Sequence, residues 1–323
     1  MSTDVEQHIH DLPPECRGTL PMASATRAMS WLMGEHALTL PPDRALARHL
    51  NQAVPGLAEI LEINRAFHYH CAEILNQQLG IDQFVSLSPG PHRPWPGRRA
   101  DLQPPCAAVP GSVFVHVHTL AGAATGSSCR HQHTYEYGGP QEMPRLLGTP
   151  AMEALDRRHP IGVLIDAVGP WTASDDSLLG ALDTLRAWLP PGSAITFTHA
   201  TTDLEPASRR RTTGATPWMR SAAHLLSRAT GRPYRPRSRA AITNLLAPWP
   251  LAGEGVVATG AFFPDHAHAR LPEHRSGTYA AVALHPVRPG TGQPQTESII
   301  SNSPRELHIL LDPTMEQSAA DAP

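Results

Sequence analysis

Short β-rich runs alternate with helical segments through the middle of the chain. This alternation limits the possible folds more than any other feature of the sequence. The runs are Gln83–Leu87, Ser112–His118, His131–Tyr137, Gly162–Val168 and Ala194–His199, and the clearest amphipathic helical pattern is Leu178–Leu189. Strands that alternate with helices in this way form a parallel sheet covered on both faces. The sequence therefore predicts an α/β fold.

The flanking segments extend this prediction. From Ala45 to Leu79 apolar residues recur at helical spacing, which indicates two helices before the first strand. Helical patterns return at 217–227 and 238–246. We expect the runs Gly255–Phe263 and Thr278–His285 to close the sheet as an antiparallel hairpin.

Composition excludes several classes of function. The chain has 323 residues and a net charge of −3, and all 26 of its basic residues are arginine. Without lysine there is no Schiff-base or pyridoxal-phosphate attachment and no P-loop. The absence of a basic surplus argues against nucleic-acid binding.

Cysteine use and hydropathy predict the compartment. The four cysteines are scattered without a C-x-x-C pair, and the first residues lack an apolar signal core. No run approaches the ~18 apolar residues of a membrane span. We therefore expect a cytoplasmic protein with no membrane partner.

Several motifs together resemble one known family. They are Arg27, the run Trp31-Leu32-Met33-Gly34, Asp43-Arg44, Asn64-Arg65-Ala66-Phe67, Gly80 to Phe84, Pro190 to Ser193, Thr198 to Thr201 and Arg237-Ser238-Arg239. They are similar to those of actinobacterial S-adenosylmethionine (SAM)-dependent methyltransferases, once catalogued as a domain of unknown function. The resemblance implies a class I methyltransferase fold with a Rossmann-like sheet of about seven strands and an N-terminal helical cap. It also implies SAM as the ancestral cofactor.

On this basis we predict the domain organisation. Residues 1–20 form a flexible segment, 21–80 a helical cap, and 81–286 a Rossmann-like methyltransferase-type domain with a helical insertion at about 201–247. Residues 287–323, rich in Pro, Gly, Ser and Gln at their start, form a flexible tail.

The sequence departs from the family where SAM would bind. Ser86 and Ser88 replace the acid and first glycine of the turn after the first strand, before Gly90. His116 and His118 replace an Asp-x-Asp pair at the end of the second strand. Of the acidic positions that the resemblance implies, only Glu136 still carries a negative charge; it stands where the family has the aspartate that contacts adenine.

These losses predict a degenerate SAM site. A charged hydrogen bond is worth about 1.5–3 kcal/mol, so losing several acids weakens SAM binding strongly. Arginines remain or are added nearby, namely Arg27, Arg44, Arg65, Arg93, Arg98 and Arg99. We therefore expect no cofactor and an anionic small-molecule substrate.

The candidate catalytic residues are His116, His118 and Asp166, the last an acid gained near the end of the fourth strand. The candidate substrate- or cofactor-binding residues are Arg27, Trp31, Asn64, Arg65, Ser86, Ser88, Gly90, Glu136 and Trp171. Packing roles remain open for each of them. A metal site formed by the pairs 116/118 and 131/133 is not expected, because the two pairs fall at opposite edges of the sheet.

Three hypotheses about function remain. The leading one is an enzyme of actinobacterial secondary metabolism that tailors a small molecule without methyl transfer, by cyclisation, elimination or displacement of an anionic leaving group, with or without a partner subunit. The first alternative is a functional SAM-dependent methyltransferase with an atypical site. The second is a non-catalytic pseudo-methyltransferase that supports a partner protein.

Overall fold

The computed structural model describes residues 23–34, 36, 39–88, 109–118, 133–205, 218–263 and 271–286. The predicted flexible segments, Gly90 and the arginines Arg93, Arg98 and Arg99 lie outside these residues.

The described strands form one seven-stranded sheet in the order β3-β2-β1-β4-β5-β7-β6. They are β1 (Gln83–Ser88), β2 (Val113–His118), β3 (His133–Tyr137), β4 (Gly162–Ile165), β5 (Ala194–Ala200), β6 (Val257–Ala258) and β7 (Thr278–Leu284). Strands β1 to β5 pair in parallel, and β7 pairs antiparallel with both β5 and β6.

Helices cover both faces of this sheet. Those of the described residues are α1 (Ala25–Leu32), α2 (Pro41–Ala53), α3 (Leu57–Leu79), α4 (Met143–Leu147), α5 (Asp175–Trp188), α6 (Trp218–Thr230), α7 (Arg239–Leu246), α8 (Thr259–Phe262) and α9 (Glu273–Ser276). Helix α3 ends at Gly80, whose φ of +66° suits a residue without a Cβ, and the Gly80 and Ile81 amides donate to the carbonyls of Asn76 and Leu75.

Successive side chains of a strand point to opposite faces of the sheet, so the core has one part on each face. Val85, Leu87 and Ile165 face the side covered by α5 and α7. Phe84 and Leu164 face α3, where they pack with Ala72 and Leu75 in a smaller cluster. Burial on both faces explains the near-continuous apolar runs of the central strands.

The structure confirms the predicted α/β fold and corrects its last hairpin. Thr278–Leu284 is a strand, but of the run Gly255–Phe263 only Val257–Ala258 is, and Thr259–Phe262 is helical. Gly260 explains the change, because a Cβ there would lie about 2.5 Å from the Leu271 carbonyl oxygen. This close approach of two backbones takes the place of continued strand pairing.

Among the described residues, no helix is long and apolar enough to cross a membrane.

Candidate functional site

The candidate site lies where strand order reverses. Strands β1 and β4 are neighbours, and the chain continues from β1 to one side of the sheet and from β4 to the other. In open α/β sheets, ligands bind beyond the carboxyl ends of the strands at such a switch point. Ser88 ends β1, and the Asp166 amide donates to the Leu87 carbonyl at 2.9 Å, which places Asp166 beside it.

Buried polar side chains line the α3-facing side of the sheet at this edge. We call them the polar seam. Its members are Ser86, Ser88, His116, Asp166, Thr196 and Thr198 from the sheet and Asn64, Arg65 and His68 from α3, all of them buried. The strand register places the sheet residues on one face.

His68 is the centre of a hydrogen-bond network in the seam. Its Nδ1 lies 2.7 Å from Thr196 Oγ1 and its Nε2 lies 3.0 Å from Thr198 Oγ1. Burial, with a further contribution from the charge of Arg65, lowers the pKa of His68 to about 3. His68 is therefore a neutral imidazole at physiological pH, with one ring nitrogen donating and the other accepting.

The network continues to Asp166. Thr198 Oγ1 lies 3.5 Å from Asp166 Oδ1, a weak contact, and accepts from the Ala167 amide at 3.0 Å. Burial raises the pKa of Asp166, while Arg65 and the Thr198 hydroxyl act in the opposite direction. A buried carboxyl whose proton affinity is raised is suited to general acid–base chemistry.

The residue after Asp166 has an unusual backbone conformation. Ala167 has a φ of +51°, and no other non-glycine residue of the described chain has a positive φ. Such a conformation costs an alanine roughly 1–2 kcal/mol. Ala167 lies just beyond the end of β4, next to Asp166 at the carboxyl-end edge of the parallel strands.

A small cavity opens beside Asp166. Its lining residues are Thr26, Met29, Ser30, Met33, Leu61, Arg65, Asp166 and Ala167. Within the described residues the buried Thr26 Oγ1 has no hydrogen-bond partner. The cavity thus combines a carboxyl group, a guanidinium and a free hydroxyl with an apolar wall from α1 and α3.

The structure brings some predicted site residues together and places others apart. Arg65 and Asp166 both line the cavity. Arg27 forms a buried ion pair with Asp43, with Nε 2.6 Å from Oδ2. Asn64 Oδ1 accepts from the Thr278 hydroxyl at 2.7 Å, which ties α3 to β7.

The predicted aromatic residues lie in packed surroundings. Trp31 packs its ring edge against His36, and buried Trp171 packs against Tyr234 with ring centroids 4.8 Å apart. His116 is buried and stacks on Phe114.

The remaining predicted residues lie near the ends of β2 and β3 or outside the described residues. Glu136 is partly exposed and lies 3.7 Å from Arg145. For His118 only the strand position is described, and Gly90 lies outside the described residues.

Sequence reasoning missed His68, Thr198 and Thr26. His68 follows Asn64 by one helical turn, so spacing on α3 could have included it in the site. Its partners Thr196 and Thr198 are 128 and 130 residues away in sequence, and no local pattern indicates them. Cys71 is buried with a raised pKa, which argues against a thiolate role on the same helix.

Two solved structures resemble this fold. A protein from Thermobifida fusca YX described as a candidate methyltransferase superposes with a TM-score of 0.68 at 20% identity, covering 85% of this chain and 98% of that chain. A DUF574 family protein from Streptomyces avermitilis MA-4680 superposes with a TM-score of 0.69 at 20% identity, covering 83% and 99%. The chain has a class I methyltransferase fold.

Sequence comparison relates part of this methyltransferase fold to a family. The model of a family described as S-adenosyl methyltransferase matches residues 139–286, from the turn after β3 to just beyond β7. The match includes Asp166, Thr198 and all of β4 and β5. No curated protein matches the chain in sequence.

Proposed function

We propose that the protein is a SAM-dependent methyltransferase acting on a small molecule. The family match over residues 139–286 carries the proposal, because it includes the strand end where Asp166 faces the cavity. It favours SAM over the expectation of no cofactor, and methyl transfer over cyclisation or elimination.

The described residues provide groups that fit the polar parts of SAM. The Ser86 and Ser88 hydroxyls at the end of β1 can donate to the carboxylate of its methionine part and accept from its amino group. The partly exposed Glu136 carboxylate at β3 can accept from the adenosine part. SAM supplies an electrophilic methyl group on a sulfonium centre. Neutral side chains at β1 and β2 predict weaker binding than an acidic set would give.

Asp166 would act as the general base. Buried at the end of β4, it can accept a proton from an O–H or N–H group in the cavity as that group becomes nucleophilic. Thr26 Oγ1 can bond the same group, while Met29, Met33 and Leu61 exclude water from it. Arg65 supports the further proposal that the acceptor molecule carries an anionic group.

Isothermal titration with S-adenosylhomocysteine tests the cofactor assignment. We expect wild-type protein to bind, and Glu136→Gln to weaken binding by roughly 10-fold, since a charged hydrogen bond is worth about 1.5–3 kcal/mol. Glu153→Gln, at an exposed glutamate away from the strand ends, should bind as wild type does.

The triple variant Ser86→Asp/Ser88→Gly/His116→Asp restores the residue types that the family resemblance implies, and its affinity for S-adenosylhomocysteine is a second test of the cofactor assignment. Tighter binding than wild type would agree with a weakened but functional cofactor site. Binding by the triple variant alone would overturn the proposal and favour a repurposed enzyme that transfers no methyl group.

A further inference from the structure

Thr198 Oγ1 is the branch point of the polar seam. Three groups surround it: the Ala167 amide, His68 Nε2 and Asp166 Oδ1. Thr198 and His68 are both almost fully buried, so bulk solvent does not reach them. A hydroxyl has one proton to donate and two lone pairs to accept with. Whether one neighbour donates or accepts therefore restricts what the other two can do.

The hydrogen bonds can be assigned for ionised Asp166. The Thr198 hydroxyl donates to Asp166 Oδ1 at 3.5 Å, as a carboxylate that only accepts requires, and the Ala167 amide takes one lone pair. His68 Nε2 must then donate to the second lone pair. His68 Nδ1 is left to accept from Thr196.

Protonated Asp166 reverses the pattern. Its hydroxyl can donate to Thr198, whose own proton then turns to His68 Nε2. Nε2 accepts, so the imidazole proton lies on Nδ1 and is donated to Thr196. Both patterns satisfy every group, because the Thr196 hydroxyl can donate or accept.

We propose that the protonation state of Asp166 and the tautomer of His68 are coupled through the Thr198 hydroxyl. His68 carries its proton on Nε2 when Asp166 is ionised and on Nδ1 when Asp166 is protonated. His68 is thus a positioning residue that stabilises both states of the base. Its significance for catalysis rests on the proposed function, but the coupling itself does not.

The charged and titratable groups facing this network permit such coupling. Burial lowers the pKa of His68 and raises that of Asp166, and the charge of Arg65 on α3 acts to lower both. Tyr234, next to Trp171, interacts with the charge of Asp166. Because the pKa of His68 is about 3 while that of Asp166 is raised, Asp166 titrates while His68 remains neutral. The two tautomers can therefore exchange without a charged imidazole.

Nitrogen NMR of ¹⁵N-histidine-labelled protein tests the proposal without substrate or cofactor. The Nδ1 and Nε2 shifts distinguish the tautomers, and loss of the signals in His68→Gln assigns them. Selective ¹³C labelling of aspartate, assigned with Asp166→Asn, follows the carboxyl in the same titration. We expect the His68 tautomer to reverse at the pH where Asp166 titrates.

Thr198 variants provide matched controls. Thr198→Val should abolish the dependence of the tautomer on Asp166, and Thr198→Ser, which keeps the hydroxyl, should retain it. A wild-type His68 that keeps one tautomer while Asp166 titrates would overturn the proposal, whatever the Thr198 variants do. Failure of S-adenosylhomocysteine to bind would instead count against the proposed function and leave the coupling intact.

Discussion

The buried carboxyl of Asp166 should make the protein less stable when it is ionised. Its pKa is raised mainly by burial, so protonation of this carboxyl favours the folded state. Below the ordinary carboxyl pKa the group is protonated in both states and its burial does not lower stability. As pH rises through the folded-state pKa the carboxyl ionises and the free energy of unfolding falls. We expect Asp166→Asn to raise the free energy of unfolding at pH 8, because the amide carries no charge that folding must bury.

Urea denaturation at pH 8 and pH 5 measures this difference, which should shrink at the lower pH. Asp82→Asn, at an exposed aspartate before β1, is the control and should change stability little at either pH. An Asp166→Asn variant less stable than wild type at pH 8 would mean that Arg65 and Thr198 outweigh the effect of burial.

At the scale of elements, Phe67 fixes α3 against the end of the sheet. Its fully buried ring packs against Phe262 of α8, with centroids 4.8 Å apart, and against Phe263. We expect Phe67→Ala to lower the free energy of unfolding by about 3–5 kcal/mol, because it leaves a cavity that the backbone cannot close. Chemical denaturation checks the value.

Leu179→Ala is the matched control for the same measurement. Leu179 is 36% exposed on α5, so its truncation should change stability by no more than about 0.5 kcal/mol. Equal losses in the two variants would contradict a packing role for Phe67.

The elements that sequence could predict are those whose pattern is local. The central strands have buried apolar runs, and α5 has a clear amphipathic period, so both were predicted to within a few residues. The run Gly255–Phe263 is apolar without alternation, a pattern that does not separate a strand from a helix. Its outcome depends on the contact of Gly260 with the Leu271 backbone, which no local pattern records.

The candidate site shows the same contrast between residues that a local pattern indicates and residues that depend on tertiary contacts. The position of Asp166 at a strand end could be predicted, because an acid that follows a buried apolar strand stands out in sequence, whereas its catalytic role stays a prediction. The Thr198–His68 pairing could not, because it depends on how α3 crosses β5.

For the whole molecule, buried neutral histidines predict sensitivity to acid. His68 and His199 are both buried with pKa values lowered to about 3. An unfolded histidine titrates near 6.5, so the unfolded chain binds more protons and stability falls as pH drops from about 6.5 towards 3. The two groups together should lower the free energy of unfolding by about 3 kcal/mol per pH unit in that window.

Urea midpoints between pH 7 and pH 4 test this prediction. His68→Gln should reduce the pH dependence by about half, whatever its effect on stability at pH 7, because one of the two groups is removed. His224→Gln, on the exposed side of α6, should leave the dependence unchanged. Unchanged dependence in His68→Gln would show that its imidazole is charged in the folded state.

Helix α3 has different partners along its length. Its second half packs Ala72 and Leu75 on the apolar part of the sheet, whereas Asn64, Arg65 and His68 in its first half belong to the polar seam. Sequence change has correspondingly different effects on these two sets of residues. Substitutions at Phe67, Ala72 and Leu75 alter the stability of the protein, whereas those at Arg65 alter what the cavity can bind. A lineage could therefore acquire a new ligand through the cavity-facing side of one helix while the packed side keeps the fold intact.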